Sequence, residues 1–285
     1  MTNTYKDDLT FSFELFPPKT VDGLAKLKTE VAKLNKVQPR YFSVTYGAGG
    51  STRDRTFTTV DWLCSQGIET APHLSCIGLQ QQEILDLLNH YQKQSIRRIV
   101  ALRGDLPSGM GSGLAGDLRY ANELVKFIRK ETGDLFHIEV AAYPEIHPQA
   151  RNAQLDLQHF QRKVQAGANA AITQYFYNSD AYFAFRDSCT RLNINIPIVP
   201  GIMPITNYKQ LARFSDACGA EIPRWIRKRL ENYQDDIEGI QEFGHEVVTN
   251  LCQRLLDGGA PGLHFYTMNQ ATSVLNIWQA LGLHS

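Results

Sequence analysis

Apolar runs and amphipathic stretches alternate along the chain at a regular spacing. Eight short runs rich in β-branched and aromatic residues predict buried strands, at 10–16, 41–46, 68–75, 97–102, 136–143, 170–175, 196–200 and 263–267. Hydrophobic residues at helical spacing predict helices between them, at 24–34, 56–64, 83–91, 120–130 and 155–164. The strand ends near 14, 45, 73, 103, 143, 174 and 200 lie 26 to 40 residues apart, which is the length of a repeated strand-helix unit.

This alternation predicts a closed (β/α)8 TIM barrel that forms a single domain over residues 1–285, since eight strands each followed by a helix fit this length. The last interval, from 200 to 266, is longer and predicts extra helix between strands seven and eight. Capping and amphipathic patterns place that helix at 207–210, 221–230 and 236–256. An open doubly wound sheet is the alternative, because one sequence does not reveal the order in which strands pair.

The first strand carries a carboxylate among apolar neighbours. In FSFELFPP, at 11–18, the two-residue period of a strand puts Ser12 and Glu14 on one face, opposite three apolar side chains. Burial in such surroundings would raise the pKa of Glu14 and keep the carboxyl partly protonated. Alternatively, Glu14 pairs with an arginine or caps a nearby turn, and this segment alone does not decide between these interpretations.

Polar side chains end six of the predicted strands, which is where barrel enzymes build their active sites. They are Glu14, Thr45, His73, Arg103 with Asp105, Tyr143 and Gln174. Any strand end that meets water tends to be polar. That explanation accounts less well for acid, base and amide groups gathered at one end of a barrel.

Two glycine-rich stretches need different interpretations. TYGAGGSTRDRT, at 45–56, directly follows strand two, so its backbone can approach a flat or phosphorylated ligand while it also caps the next helix. GSGLAG, at 111–116, has the letters of a dinucleotide-binding turn, but it begins about eight residues past strand four. Because that turn must directly follow a strand, we interpret 111–116 as a mobile loop.

Composition excludes several classes of function. The 29 basic and 29 acidic residues balance, so no overall field favours nucleic acid or an anionic membrane. The chain contains no apolar run long enough to span a membrane, and its first residues lack the apolar core of a secretion signal. Its five cysteines are scattered without metal-ligand spacing. We therefore expect a cytoplasmic protein that uses no metal and no nucleic-acid partner.

Eight motifs together resemble one protein family. They are FSFELFPPKT, FSVTYGAGGSTRDRT, APHLSCIG, RRIVALRGDLP, AAYPEIHPQA, AGANAAITQYFYN, PGIMPITNYKQ and HFYTMN. Their identity and order resemble methylenetetrahydrofolate reductase of the single-domain bacterial type. The resemblance implies a (β/α)8 barrel that holds FAD tightly without a covalent bond. It also implies hydride transfer from NADH or NADPH through FAD to 5,10-methylenetetrahydrofolate, in the one-carbon metabolism that feeds methionine synthesis. We expect a homo-oligomer.

The resemblance also implies the catalytic roles. Glu14 is the general acid that protonates the folate N10 and opens the methylene-bridged ring to an iminium cation. Asp105 is the negative charge that stabilises this cation beside flavin and folate. Asp105 could instead pair with Arg103 or cap the loop that follows.

The remaining site residues follow from the resemblance, position by position. The FAD positions are Thr45, Tyr46, Ala48, His73, Arg103, Gly104, Asp105, Tyr120, Ala121, Tyr143, His147, Ala150, Asp156, His159, Arg162 and Lys163. His159 replaces the family's asparagine. Taken without the family, His73 would be interpreted as a core residue, and the charged positions after 155 as an ordinary solvated helix face.

For folate, the resemblance implies contacts from Gln174 to the pterin edge and from Gln210 and Phe214 to the aminobenzoyl part, beside Asp105. Gln210 and Phe214 could equally be a helix cap and a core aromatic. Gln270 stands where the family has an arginine. If that arginine helps to hold folate, either another group substitutes for it in this chain or the affinity for folate is lower. A non-redox barrel lyase and a non-catalytic flavin or folate binder are the rival functions.

Overall fold

The computed structural model describes residues 9–46, 50–104 and 116–283, with only the backbone described at 50–53. Within these ranges parallel strands alternate with helices. The strands are β1 Thr10–Leu15, β2 Tyr41–Val44, β3 Thr70–Ser75, β4 Arg98–Leu102, β5 His137–Ala142, β6 Ala170–Thr173, β7 Ile198–Val199, β8 Gly201–Ile202 and β9 Gly262–Tyr266. The helices are α1 Val21–Leu34, α2 Gly50–Ser65, α3 Gln81–Lys93, α4 Ala121–Thr132, α5 Ala153–Gln165, α6 Ser179–Arg191, α7 Tyr208–Cys218, α8 Arg224–Tyr233, α9 Ile237–Asp257 and α10 Ala271–Ala280. A short 3₁₀ turn at Asn35–Val37 follows α1.

The sheet closes on itself, as a barrel requires. Its strand order is β7-β6-β5-β4-β3-β2-β1-β9-β8, and β7 and β8 are consecutive segments separated only by Pro200. β7 pairs with β6 and β8 pairs with β9, so this segment joins the two ends of the strand order, which does not happen in an open doubly wound sheet. The predicted (β/α)8 barrel is therefore confirmed.

The predicted seventh strand, 196–200, needs correction. It consists of two short segments, Ile198–Val199 and Gly201–Ile202, because Pro200 has no N–H to donate to a ladder. The first segment pairs with β6 and the second with β9, so the chain changes partners at the proline. The Gly201 N–H is satisfied by the Thr173 hydroxyl at 2.9 Å, and the Pro200 carbonyl accepts from the His264 N–H at 3.0 Å.

The two faces of β1 lie in different environments, as its alternation predicts. Phe11 and Phe13 pack outward against Trp278 of α10, with ring centroids 4.9 and 6.1 Å apart. Burying a side chain of this size contributes roughly 1.5–3 kcal/mol, so the outward face anchors the strand between the sheet and the helices. The inward face carries Ser12 and Glu14, both buried. Polar groups are thereby concentrated inside the barrel.

The long interval before the last strand contains the predicted extra helices, α7, α8 and α9. Asn207 caps α7, its side-chain oxygen accepting from the Gln210 N–H at 2.9 Å, as the capping pattern predicts. The helix ends at Gly219, whose φ of 76° suits glycine, and a Cβ there would lie 2.7 Å from Pro148. This close approach holds α7 against the loop that follows β5. None of the described helices is long and apolar enough to cross a membrane.

Candidate active site

Glu14 lies inside the barrel between two histidines. Its carboxyl Oε2 is 3.4 Å from Nε2 of His73 on β3 and 3.6 Å from Nε2 of His264 on β9. Both distances exceed those of ordinary hydrogen bonds to oxygen. Each of the two Nε2 atoms is buried and makes no hydrogen bond with the described part of the chain. In the same residues Glu14 has no arginine ion pair, so the arginine-pairing interpretation is not supported.

The His73 imidazole is held in its neutral form. Burial lowers its pKa, the nearby Glu14 charge opposes this, and His264 lowers it further. A neutral ring offers one donor and one acceptor nitrogen. The Glu14 carboxyl therefore faces no permanent cation here and remains available to a ligand at the mouth of the barrel.

His264 belongs to this site, although the sequence did not single it out. Its Nδ1 lies 2.7 Å from the Ser12 hydroxyl, and its ring stacks on Tyr41 at a centroid distance of 6.3 Å. The available signal was the alternation along β9, in which Leu263 and Phe265 point outward and His264 inward. A histidine in mid-strand is interpreted from sequence as core, and only the register of β9 against β1 reveals its neighbours.

The loops after β1 and β9 are joined beside Glu14. The Thr267 hydroxyl donates to the Glu14 carbonyl at 2.6 Å. Asn269 accepts from the Phe16 N–H at 2.9 Å and donates to the Phe16 carbonyl at 2.8 Å. Asn269 adopts a φ of 57°, which asparagine tolerates better than most residues. Gln270, the next residue, is exposed at the N-cap of α10 and makes no side-chain capping bond.

Tyr266 reaches across the site, just inside its mouth. Its hydroxyl donates to the Thr173 carbonyl at 2.7 Å. The ring passes over Gly201, where a Cβ would lie 2.2 Å from the Thr173 oxygen and 2.6 Å from the ring. Burial raises the pKa of Tyr266, and the nearby Glu14 raises it further. Tyr266 therefore stays protonated and keeps its hydroxyl hydrogen on Thr173.

The predicted cofactor residues of strands two to four follow one another along the C-terminal mouth of the barrel. Thr45 and Tyr46 directly follow β2, and Arg103 and Gly104 directly follow β4. Gly104 has a φ of 89°, and a Cβ there would lie 1.8 Å from the Ser75 Oγ. The Ser75 hydroxyl donates to the Arg103 carbonyl at 2.8 Å, which holds this backbone against β3. A side chain at position 104 would push that backbone away.

The predicted cofactor residues after β5 form a connected cluster. The Tyr143 and His147 rings meet edge to face at 4.5 Å, and the Asp156 carboxylate accepts from the His147 N–H at 2.8 Å. Ala150 closes the turn by donating its N–H to the His147 carbonyl at 2.8 Å. The Lys163 ammonium donates to the Ala141 carbonyl, and burial lowers its pKa to about 8 while Asp156 opposes the shift. A cation is thus held beside the end of β5.

Of the other predicted cofactor residues, Ala121 is half-buried, and the rest are exposed or lie outside the residues that the structure describes. Tyr120 caps α4 without a side-chain bond, is 56% exposed, and precedes Ala121. His159 and Arg162 are exposed on α5. Ala48, Asp105 and residues 111–115 of the glycine-rich loop lie outside the described residues.

The predicted folate residues that the structure describes follow β6, lie on α7 and precede α10. Gln174 follows β6, lines a small cleft with Tyr143 and Cys218, and accepts the Tyr175 N–H on its amide oxygen at 3.0 Å. Gln210 is exposed and Phe214 half-buried, one turn apart on α7. The Tyr175 hydroxyl meets Ser215 at 3.0 Å, which fixes α7 over the end of β6.

The residues at this mouth fit a flavin dinucleotide. Gly104, at the mouth, has a φ of 89° that suits glycine and packs its backbone against Ser75. Lys163 and the exposed Arg162 supply cationic donors on the helix that follows β5, which suits a pyrophosphate. The buried Nε2 of His73 is directed to the interior without a partner among the described residues. Those residues contain no cluster of side chains suited to a metal ion.

Comparisons with known proteins agree on one family. A family model described as "Methylenetetrahydrofolate reductase" matches residues 1–282. The 5,10-methylenetetrahydrofolate reductase of Buchnera aphidicola subsp. Schizaphis graminum is 41% identical over 97% of this chain and 93% of its own. Methylenetetrahydrofolate reductase (NADH) 1 of Arabidopsis thaliana is 37% identical over 98% of this chain, which spans 49% of that protein.

A solved structure shares the fold. An uncharacterised protein from Clostridium thermocellum, described as binding two copies of 5-methyl-5,6,7,8-tetrahydrofolic acid, matches with a TM-score of 0.66. The match covers 97% of this chain and 94% of that one at 15% identity. At this identity the likeness supports the barrel architecture alone.

Proposed function

The chain belongs to the methylenetetrahydrofolate reductase family, and on this premise we propose that it reduces 5,10-methylenetetrahydrofolate to 5-methyltetrahydrofolate with FAD and NADH or NADPH. The observation that carries the proposal is the buried Glu14 carboxyl, held between two imidazoles at the mouth of the barrel without a cationic partner among the described residues. A carboxyl so placed can hold a proton and present it to a basic nitrogen of a ligand.

Glu14 acts as the general acid. The methylene bridge between N5 and N10 of the folate is a poor hydride acceptor until N10 is protonated and the ring opens to an iminium cation. Glu14 supplies this proton, which is the kind of step for which general acids contribute about 10²–10⁴-fold. Asp105 supplies the negative charge that stabilises the cation. The lowered pKa of His73 keeps that imidazole neutral, so it adds no positive charge beside the carboxyl.

The cofactor-binding residues hold FAD along the mouth from β2 to α5. FAD, when bound, supplies the route by which a hydride passes from nicotinamide to folate. Thr45, Tyr46, Ala48, Arg103 and Gly104 bind its ring system through backbone and side chains at the strand ends. His147 and Lys163 would bind the pyrophosphate, and Arg162, exposed on α5, would supply a further cation.

Folate binds at the end of β6 and along α7, next to the proposed flavin residue Tyr143. Gln174 presents both a donor and an acceptor to the pterin edge. Phe214 and Gln210 line the aminobenzoyl part on one face of α7, which the contact between Tyr175 and Ser215 holds in place. Gln270 lies near the glutamate end without the charge of an arginine.

The name of the Arabidopsis relative favours NADH as the donor. We further propose that residues 1–285 form one catalytic domain, that the protein is cytoplasmic and that it assembles as a homo-oligomer. A non-redox barrel enzyme and a non-catalytic folate binder remain the rival functions, and both fail the test below.

The test is a visible spectrum of the purified protein, recorded before and after anaerobic NADH or NADPH and again after methylenetetrahydrofolate. The proposal expects a yellow protein that bleaches with the nicotinamide and regains its colour with the folate. A colourless protein that FAD does not reconstitute would exclude a flavoenzyme. Bleaching without recovery of colour would exclude the folate as the oxidant.

A further inference from the structure

Phe16 exposes a large apolar ring at the mouth of the barrel. It follows Leu15, the last residue of β1, and 37% of its surface is exposed. The two phenylalanines inside β1, Phe11 and Phe13, are 7% and 0% exposed. The backbone of Phe16 joins the loops after β1 and β9, but its ring has no part in the function proposed above. An exposed ring at the end of a barrel where ligands bind is a candidate contact for a ligand.

The backbone hydrogen bonds show which face of β1 the Phe16 side chain continues. Thr10, at the start of the strand, donates its N–H at 2.8 Å to the carbonyl of Pro261, just before β9. The Phe16 N–H, an even number of residues later, donates towards the same neighbour, to Asn269 in the loop that follows β9. N–H directions and side-chain directions both alternate along a strand, so residues an even number apart share a face. Phe16 therefore continues the inward face that carries Glu14.

Both backbone groups of Phe16 are fixed by the segment that follows β9. The Asn269 amide accepts from its N–H at 2.9 Å and donates to its carbonyl at 2.8 Å. Asn269 and the preceding Met268 have φ angles of 57° and 50°, in a region that residues with a β-carbon rarely adopt. Strain of this kind persists where the surrounding structure imposes it, and it is concentrated at ligand sites. Pro17 and Pro18 follow directly and restrict the backbone further, so the exposed ring projects from a rigid base.

The chemistry proposed for Glu14 brings an aromatic ring of the ligand to the same place. In 5,10-methylenetetrahydrofolate, N10 is bonded directly to the aminobenzoyl ring. An acid that protonates N10 approaches it to about 3 Å, so the near edge of this ring lies beside the Glu14 carboxyl. Phe16 is two residues further along the same face, roughly 7 Å towards solvent. Two aromatic rings interact when their centroids are about 4.5–7 Å apart, so this spacing suits a contact between them.

We propose that Phe16 is a substrate-binding residue whose ring packs against the aminobenzoyl ring of the folate and holds N10 within reach of Glu14. The inference deepens the proposed function and rests on it, because both the folate and the acid are taken from there. It adds a contact from the end of β1 to the one already proposed for Phe214 on α7. Asn269 then serves the ligand as well as the loop, because it fixes the backbone from which the ring projects.

The first test measures how tightly variants of Phe16 bind 5-methyltetrahydrofolate. All the proteins carry Glu14→Gln and FAD, because loss of the acid prevents the folate from reacting with the flavin during a calorimetric titration. Relative to Glu14→Gln alone, adding Phe16→Tyr should change Kd by less than twofold, whereas Phe16→Leu should weaken binding by about threefold and Phe16→Ala by about tenfold. If either the Leu or the Ala protein bound the folate as tightly as Glu14→Gln alone, the proposal would be overturned.

Two controls separate a ligand contact from damage to the fold. Trp225 on α8 is 60% exposed and has no role in the proposed site, so Trp225→Ala should leave Kd for the folate unchanged. In protein with Glu14 intact, Phe16→Ala should raise the folate concentration that gives half the maximal rate of flavin reoxidation by about tenfold, and should change reduction by NADH by less than twofold. Parallel losses of FAD affinity in Phe16→Ala and Phe16→Tyr would make Phe16 a structural residue and overturn the proposal.

Proton NMR of bound 5-methyltetrahydrofolate locates the contact on the ligand. In the Glu14→Gln protein, Phe16→Leu removes the ring current of Phe16, so the aminobenzoyl protons should change their chemical shift while the N5-methyl protons keep theirs. A change confined to the N5-methyl protons would overturn the proposal. A protein with Phe16 intact that binds no 5-methyltetrahydrofolate would refute the proposed function and this inference with it. Equal binding with and without the Phe16 ring would refute this inference alone.

Discussion

Two buried glutamates inside the same barrel have opposite surroundings. Near the N-terminal end of the barrel, Glu139 on β5 accepts from Arg98 at 2.7 Å and from Tyr41 at 2.6 Å. Towards the C-terminal mouth, Glu14 on β1 meets only imidazole nitrogens, at 3.4 and 3.6 Å, among the described residues. Both are almost fully buried, with exposed fractions of 1% and 6%. Burial alone therefore does not distinguish a structural carboxylate from a chemical one.

The difference lies in the number of partners each carboxyl already has. The desolvation cost of Glu139 is offset by a charge-assisted bond and a hydroxyl donor, so the group is committed to holding β2, β4 and β5 together. Glu14 keeps unused hydrogen-bonding capacity at the end of the barrel where ligands bind. The same isosteric change, glutamate to glutamine, should therefore have different consequences at the two positions.

The largest expected effect is that of Glu14→Gln on the folate step. The amide keeps the shape of the side chain but cannot deliver a proton to N10, so reoxidation by methylenetetrahydrofolate should fall by about 10²–10⁴-fold. Reduction by NADH needs no proton donor at the folate and should proceed at nearly its normal rate. Stopped-flow absorbance of the two half-reactions measures both effects. Equal damage to the two would make Glu14 a structural residue like Glu139.

The next effect is that of Glu139→Gln on stability. Removing this charge leaves Arg98 largely buried without its main partner, and breaking a buried pair in this way costs about 3 kcal/mol. We expect the lower end of the usual range, because Glu69 lies 3.7 Å from Arg98 and retains part of the interaction. Glu14→Gln is the matched control and should change the free energy of unfolding by less than about 1 kcal/mol. Denaturant titration measures the free energy of unfolding of both variants. Similar losses in the two variants would contradict the comparison.

The sequence singled out one of these glutamates as a candidate and not the other. Glu14 is near the end of a strand, and the rule that barrel sites form at strand ends proposes it as a site residue. Glu139 and His264 lie in mid-strand, where a polar residue is interpreted as an isolated exception in the core. Their roles depend on which strands become neighbours, and Glu139 and Tyr41 are separated by 98 residues in the sequence.

In the fold, too, features that depend on neighbouring residues could be predicted from the sequence, and features that depend on distant strands could not. Strand and helix positions could be predicted because the alternation of apolar residues is local, and the capping pattern at Asn207 is confirmed by its bond to Gln210. The break at Pro200 could not be predicted from the sequence. A proline that ends a strand and a proline that divides a strand look the same in the residues around them. Only the pairing of Ile198–Val199 with β6 and of Gly201–Ile202 with β9 separates the two cases.

A smaller effect concerns how the free energy of unfolding depends on pH, through His137 at the Glu139 end of the barrel. Burial, followed by the charges of Arg98, Arg129 and Arg40, lowers the pKa of His137 to about 4 from the ordinary value of 6.5. The unfolded chain therefore binds more protons than the folded chain between these two values, so the free energy of unfolding rises with pH across that window and is lost as pH falls.

The variant His137→Gln should flatten this dependence. Melting temperatures from pH 4 to pH 7 should rise less steeply in His137→Gln than in the wild type. His90→Gln, on the outer helix α3, is the matched control and should leave that slope in place. A slope unchanged in His137→Gln would place the titrating group elsewhere, with His73 of the Glu14 cluster as the next candidate, since its pKa is also lowered.

The smallest expected effect is that of Gln270→Arg on folate affinity, at the rim of the barrel end that contains Glu14. Gln270→Arg should tighten folate by up to about fivefold, because an exposed arginine-carboxylate pair contributes about 0.2–1 kcal/mol. A cation at the N-terminus of α10 opposes the helix dipole, so the melting temperature should fall slightly while folate affinity rises. Gln279→Arg adds the same charge near the other end of α10 and should not change folate affinity. Bleaching by NADH should be unaffected in both variants, and a Gln270→Arg protein that binds folate no more tightly would show that this rim does not contact the folate carboxylates.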